Sequence, residues 1–234
     1  MMVKVLFVCH GNICRSPMAE FIFKDMIERA GLEDRFAVAS AATSSEEIGN
    51  PVYPPARRKL NEHGISCEGK TARRLRADEY DDWDLFIGFD GANLRSMERR
   101  FGGDPDGKIH LITEYAGRPG AFVDDPWYTR DFDLAWEDIH EGCLGLLNKL
   151  TPERTLDFSA CRERAELYDV LASAMLWPEG YGRNLDALHD ILTGMPHLGQ
   201  RFCILLPGED APCRPYAERM LEVFRDAGVA FTCK

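Results

Sequence analysis

A thiol and a guanidinium in one short loop set out the chemistry open to this chain. Residues 9 to 17 read Cys9-His10-Gly11-Asn12-Ile13-Cys14-Arg15-Ser16-Pro17. Ahead of them lies the apolar run Val3 to Val8, which predicts a buried strand. Behind them Pro17-Met18-Ala19-Glu20 opens an amphipathic helix, with Ser16 placed to cap it and Pro17 at its first position. A strand, a tight loop and a helix N-terminus in that order make an anion site. The loop amides of His10, Gly11, Asn12, Ile13 and Cys14 and the helix dipole converge on one spot and favour a phosphoryl group there. The same field stabilises a thiolate, which makes Cys9 a nucleophile. Arg15 can return to that spot and hold two oxygens with its planar fork. The expected chemistry is covalent phosphoryl transfer, for which no metal or cofactor is needed. Such a reaction also needs a proton for the leaving oxygen and a base for the later attack of water, and one carboxyl can serve both.

The elements around this loop alternate. Helix residues 17–30 are expected to face the core with Phe21, Met26 and Ile27, and Gly31 stands where a helix end favours glycine. Residues 36–40 read as a second strand, followed by the polar stretch 41–51, whose hydroxyls either bond the Cys9 loop or face solvent, and by a helix over 54–63. A strand over 84–89 leads to Asp90, the expected cap of a helix through Leu94, Met97 and Phe101. A fourth strand covers 108–112, and a closing helix over 133–150 carries Leu134, Ile139, Leu144 and Leu147 inward. This spacing predicts βαβ units, an α/β class with a parallel sheet, and a ligand at the carboxyl ends of the strands. Residues 149–154 form a polar break containing Pro152, which places a domain boundary between 1–150 and 151–234. Beyond it are expected a strand at 155–158, a helix over 163–175, and a short acidic helix capped by Asn184 with Leu185, Leu188 and Leu192 inward. A strand at 202–206, a helix over 216–227 and a strand at 229–232 follow.

The whole chain has 234 residues, with 39 acidic against 28 basic side chains and a formal charge of −11. That balance argues against nucleic acid and anionic membranes as direct partners. No apolar run approaches twenty residues, and no leader pattern precedes the first strand, so neither secretion nor membrane insertion is expected. Eight cysteines stand without metal-ligand spacing, which fits a reducing cytoplasm and no metal site.

The Cys9-x5-Arg15-Ser16 loop directly after an N-terminal strand resembles the low-molecular-weight protein tyrosine phosphatases, and the resemblance runs to the end of the first domain. It implies a three-layer domain around a four-stranded parallel sheet, and hydrolysis of a phosphotyrosine protein or a small phosphomonoester through a cysteinyl-phosphate. That family carries its general acid in an aspartate–proline pair followed by two aromatics, matched by Asp125-Pro126-Trp127-Tyr128. Asp125 is thereby the acid, with Asp124 able to modulate it. Trp127 and Tyr128 either wall the substrate pocket or pack inward. The resemblance also implies that Asn12 braces the loop, that Ser16 stabilises the thiolate, and that Cys14 protects Cys9 from oxidation by forming a disulfide. Where the family often places an aromatic on the substrate ring, this chain has Glu46 at the pocket, with Glu47 beside it. Two related chemistries share the loop. Arsenate reductases need a relay of further cysteines, for which Cys67 and Cys143 are available. Arginine phosphatases carry threonine at the place of Ile13, and Ile13 favours phosphotyrosine.

The second segment resembles barstar, the inhibitor of the ribonuclease barnase, through Pro178-Glu179, Tyr181-Gly182, Asn184-Leu185-Asp186-Ala187-Leu188 and Asp190-x-Leu192-Thr193-Gly194. This implies a small α/β domain with a three-stranded parallel sheet and a basic ribonuclease as partner. Tyr181, Asp186, Asp190 and Asp226 would be the contacts; alternatively the aspartates are ordinary solvated helix positions. Gly180 and His189 stand where the inhibitor has a tyrosine and a tryptophan. An acidic helix of this kind could either recruit a basic partner or dock on the phosphate site of its own chain, and the chain's net negative charge favours the former.

Overall fold

The computed structural model describes residues 2–151, 153–175, 180, 182–194 and 201–233. Their contacts divide the chain into two compact units, residues 1–28 with 32–146, and residues 29–31 with 147–234.

In the first unit β1 (Val3–Cys9) is followed by α1 (Arg15–Arg29) and β2 (Phe36–Ala42). Then come α2 (Pro54–Glu62), β3 (Leu85–Gly88), α3 (Gly91–Phe101), β4 (Ile109–Leu111) and α4 (Ile112–Tyr115). The single turn α5 (Pro126–Thr129) precedes the long α6 (Phe132–Leu150). The four strands are all parallel in the order β2-β1-β3-β4. Val5 to Val8 of β1 have no exposed surface, as expected of a central parallel strand covered on both faces. The chain leaves β1 for β2 on one side and returns to β3 on the other. The carboxyl ends of β1 and β3 therefore flank the crevice where such sheets bind ligands.

Three local expectations change. Helix α1 starts at Arg15 rather than Pro17, because the Cys14 carbonyl already accepts from Met18 N at 3.1 Å; Ser16 is not its cap. Its inward stripe is Ile22, Phe23, Met26 and Ile27, while Phe21 lies at the edge under the Lys24 ammonium. Leu134 is 45% exposed, since α6 begins to pack only at Ala135 and Trp136. Further along α6, a Cβ on Gly145 would lie 1.9 Å from the Tyr115 carbonyl oxygen, so the close approach of α6 to α4 requires glycine there.

The second unit holds β5 (Glu153–Asp157), α7 (Arg164–Met175), α8 (Leu185–Gly194), β6 (Arg201–Leu205), α9 (Arg214–Asp226) and β7 (Ala230–Cys233). Its sheet is parallel in the order β5-β6-β7. Leu156, Leu171, Leu188, Phe202, Ile204 and Phe224 meet in one core. Asn184 Oδ1 accepts from Ala187 N at 2.8 Å and caps α8 as expected.

Candidate active site

The loop after β1 is folded around the Cys9 sulfur. Ser16 Oγ lies 3.1 Å from Sγ, and Asn12 N donates to it at 3.3 Å. The amide can only donate, whereas either partner can donate in the Ser16 contact. Asn12 holds a left-handed backbone at φ 57°, a conformation that asparagine tolerates better than most residues. Its side-chain amide then donates to Ser16 Oγ at 2.9 Å and to Ser40 Oγ at 2.7 Å, while its Oδ1 accepts from Arg73 N at 3.1 Å. The loop is thus tied to β2 and to the segment after α2. The hydroxyl that reaches it from this side is Ser40, inside β2, one residue ahead of the stretch expected to supply one.

Arg15 is 3% exposed and spends its donors on three acceptors. Nη1 donates to Asp90 Oδ2 at 2.8 Å and to the Val123 carbonyl at 3.0 Å, and Nη2 donates to Asp125 Oδ2 at 2.7 Å. Burial alone would lower its affinity for a proton, but Cys9, Asp125 and Asp90 outweigh that and hold it above the usual arginine range. Asp90 has two tasks, since its other oxygen caps α3 by accepting from Asn93 N at 2.7 Å. Asp125 likewise caps α5 through Oδ1, which accepts from Trp127 N at 3.1 Å. Asp124 is exposed.

A buried carboxylate supports the loop from beneath. Glu20 accepts from Ser40 Oγ at 2.6 Å, from Lys24 at 2.5 Å and from Lys70 at 2.7 Å. Burial raises its proton affinity, yet the Lys70 charge and the bonds from Lys24, Lys70 and Ser40 prevail and hold it below the usual carboxylate range. A carboxyl lowered on folding contributes stability that is complete above its unfolded value of about 4.3 and is lost as pH falls through the lower folded value. Glu20→Gln should therefore flatten the acid limb of a plot of thermal midpoint against pH. Glu20→Ala should cost about 3 kcal/mol at pH 7 by leaving the Lys70 ammonium unpaired. An acid limb of the same slope in Glu20→Gln and wild type would exclude this role.

Cys9, His10, Gly11, Ile13, Cys14, Arg15, Glu46, Glu47, Asp125, Trp127 and Tyr128 together line a pocket of about 140 Å³. Trp127 and Tyr128 are walls and not core residues, at 39% and 81% exposure. Glu46 sits at the rim, 3.1 Å from His10 Nε2. Burial, with Cys9 next, pushes the Cys14 thiol well above the usual range, so it is held as a neutral thiol beside Cys9. Cys67 and Cys143 are buried and line no part of this pocket. Sequence reasoning missed Ser40 and Glu20 and took Asp90 only as a helix cap. It also missed Tyr53, whose amide donates to the Ile13 carbonyl at 2.8 Å. In the second unit Asp186 and Asp190 are exposed one turn apart on α8, and Asp226 is exposed at the end of α9. Tyr181, with Pro178 and Glu179, lies outside the described residues. No group of His, Cys, Asp and Glu with metal-binding geometry occurs among the described residues, and no described helix is long and apolar enough to cross a membrane.

A thiol met by one amide and one hydroxyl, a buried guanidinium and a carboxyl gather at one crevice of a parallel sheet, an arrangement able to hold a phosphoryl group. Residues 4–156 match the low molecular weight phosphotyrosine protein phosphatase family, and the chain belongs to that family; it is a phosphatase. Residues 151–232 match Barstar (barnase inhibitor), so a Barstar-family domain forms the C-terminal part. The low molecular weight protein-tyrosine-phosphatase YfkJ of Bacillus subtilis (strain 168) is 38% identical over 156 residues, 66% of this chain and 100% of the relative. The low molecular weight phosphotyrosine protein phosphatase of Gallus gallus is 35% identical over 149 residues, 62% of this chain and 94% of the relative. The crystal structure of YfkJ superposes with a TM-score of 0.62 at 37% identity, covering 64% of this chain and 96% of that one. The crystal structure of DARP, a drosophila arginine phosphatase, superposes with a TM-score of 0.59 at 31% identity, covering 63% and 98%.

Proposed function

We propose that residues 1–150 form a domain that hydrolyses phosphotyrosine through a cysteinyl-phosphate, and that residues 151–234 form a binding module for a basic protein. The observation that carries the first part is the meeting of Cys9, Arg15 and Asp125 in one pocket with aromatic walls. The Cys9 thiolate attacks phosphorus while the loop amides and Arg15 hold the equatorial oxygens. The incoming dianion competes with Asp125 for Arg15 Nη2. That exchange frees the Asp125 carboxyl to face the leaving-group oxygen. Asp125 gives its proton to the departing phenolate, then takes one from the water that releases phosphate from Cys9.

Trp127 and Tyr128 offer aromatic faces to a substrate ring, and the apolar Ile13 side chain lines the pocket where arginine phosphatases carry threonine. DARP is nevertheless among the similar structures. Steady-state kinetics with phosphotyrosine and phosphoarginine, with arsenate reduction in parallel, test the assignment. Phosphotyrosine should have the highest kcat/KM, and a preference for phosphoarginine or a thiol-dependent reduction of arsenate would replace it.

Cys14 is a redox partner in this reading. Peroxide converts the Cys9 thiolate to a sulfenic acid, and the Cys14 thiol condenses with it to give a disulfide and water, which an external thiol reduces. Peroxide-inactivated enzyme should recover most of its activity with dithiothreitol, whereas Cys14→Ser should recover less than about one tenth as Cys9 proceeds to irreversible acids. Equal recovery in the two proteins would contradict this.

All eight cysteines are free thiols, in keeping with a reducing cytoplasm. For the second domain, the exposed Asp186, Asp190 and Asp226 suit a basic partner such as a ribonuclease. Calorimetry of the full chain with barnase tests it: a saturable heat that is lost in Asp186→Ala/Asp190→Ala supports the module, and heat unchanged by the double substitution refutes these contacts.

A further inference from the structure

We infer that Tyr53 and Arg130 clamp the turn that carries Asp125, and that both are positioning residues for protonation of the leaving group. The inference rests on the reading of Asp125 as the general acid. The turn α5 has four residues, too few to hold itself. It ends at Arg130, whose N–H closes on the Pro126 carbonyl at 3.1 Å with the backbone in the left-handed region at φ 64°. Side chains other than glycine, asparagine and aspartate rarely occupy that region. What an arginine adds there is contact. Its guanidinium lies 5.5 Å over the Trp127 ring, and its Nη1 donates to the Tyr53 hydroxyl at 3.1 Å. The Tyr53 ring in turn packs 4.8 Å from Trp127 and 6.0 Å from Phe132.

Tyr53 also reaches the other half of the site. Its backbone N–H donates to the Ile13 carbonyl at 2.8 Å, inside the loop that holds Cys9. One residue therefore touches the nucleophile loop through its amide and the acid turn through its ring and hydroxyl. This connection does not pass through Arg15. That matters because the Arg15–Asp125 bond is the one a phosphoryl group competes for, whereas the Tyr53–Trp127–Arg130 contacts persist when Arg15 turns to substrate. Tyr53 does not line the pocket, so its effect is on the place of the carboxyl and not on the substrate.

The test uses full-length Tyr53→Phe, Arg130→Gly and Asp125→Ala, and reads the ratio of kcat/KM for p-nitrophenyl phosphate over phenyl phosphate. The poorer phenolate needs the acid more, so this ratio rises when the acid is displaced. Arg130→Gly removes the clamp but relieves the left-handed backbone. It should keep or raise the thermal midpoint while raising the ratio about tenfold. Tyr53→Phe keeps the ring and loses the hydroxyl, and should raise the ratio about threefold. In the Asp125→Ala background Arg130→Gly should add nothing further to the ratio, because there is no carboxyl left to position. An unchanged ratio in Arg130→Gly, or a rise that persists without Asp125, overturns the clamp. If Asp125→Ala itself leaves the ratio unchanged, the assignment of the acid fails first and the clamp falls with it.

Discussion

Cys9→Ser should lower turnover of every phosphomonoester by about 10⁵-fold or more, the scale seen when a covalent nucleophile is removed. A serine hydroxyl keeps its proton at neutral pH and is a far weaker nucleophile than a thiolate. The groups at Sγ are the Asn12 N–H, which can only donate, and the Ser16 hydroxyl. Binding should survive. The oxygens of a bound phosphate answer to the loop amides and Arg15, and Arg15 is held by Asp90 and the Val123 carbonyl whatever stands at position 9. Inorganic phosphate should therefore still bind Cys9→Ser in calorimetry, with a Kd comparable to its inhibition constant for the wild type. Turnover by the serine variant within about tenfold of wild type would rule out a covalent thiolate mechanism.

For Asp125→Ala the loss should depend on the leaving group. An alkyl or phenyl phosphate should lose about 10²–10⁴ in kcat/KM, the range of general-acid catalysis, and p-nitrophenyl phosphate only about tenfold. The parameter matters here, because kcat/KM contains only the steps up to phosphoryl transfer to Cys9. Base assistance in hydrolysis of the intermediate does not enter it. Part of the smaller loss has another origin: Asp125 is one of the three partners of Arg15, and its removal leaves Nη2 without its acceptor. That part is common to all substrates, so the slope against leaving-group acidity isolates the acid. A uniform loss across phenols would move the acid to another group, with the exposed Asp124 the first to examine.

The local parts of this site were legible in the amino-acid order. A β-branched run, a loop of Cys9 to Arg15 and the helix behind it are neighbours along the chain, and local backbone geometry brings the Asn12 amide to the sulfur. The alternation of strands and helices also determined a parallel sheet, and with it the edge of the sheet at which the loop must lie. The Barstar-family segment was equally readable, because its helix cap at Asn184 and the inward Leu188 and Leu192 follow local periodicity. Folding decided what Arg15 meets. A guanidinium buried to 3% exposure must have its donors satisfied, and the acceptors that do so stand 75, 108 and 110 residues away. No spacing rule connects them. They meet because β3 lies beside β1 and the segment after α4 returns across the same strand ends. Asp90 looked like a helix cap and is one, but its second oxygen could be assigned to Arg15 only once that adjacency existed. The same holds for Glu20 and Lys70, whose lysine, fifty residues further along the chain, faces a carboxylate that was a plain helix residue in the sequence. Aromatic residues at 53 and 127 carry no signature of contact, and their packing is a product of where α2 and α5 begin. Sequence order thus determined the groups proposed to react, and tertiary burial, through the need to satisfy each buried charge, decided the groups that hold them in place.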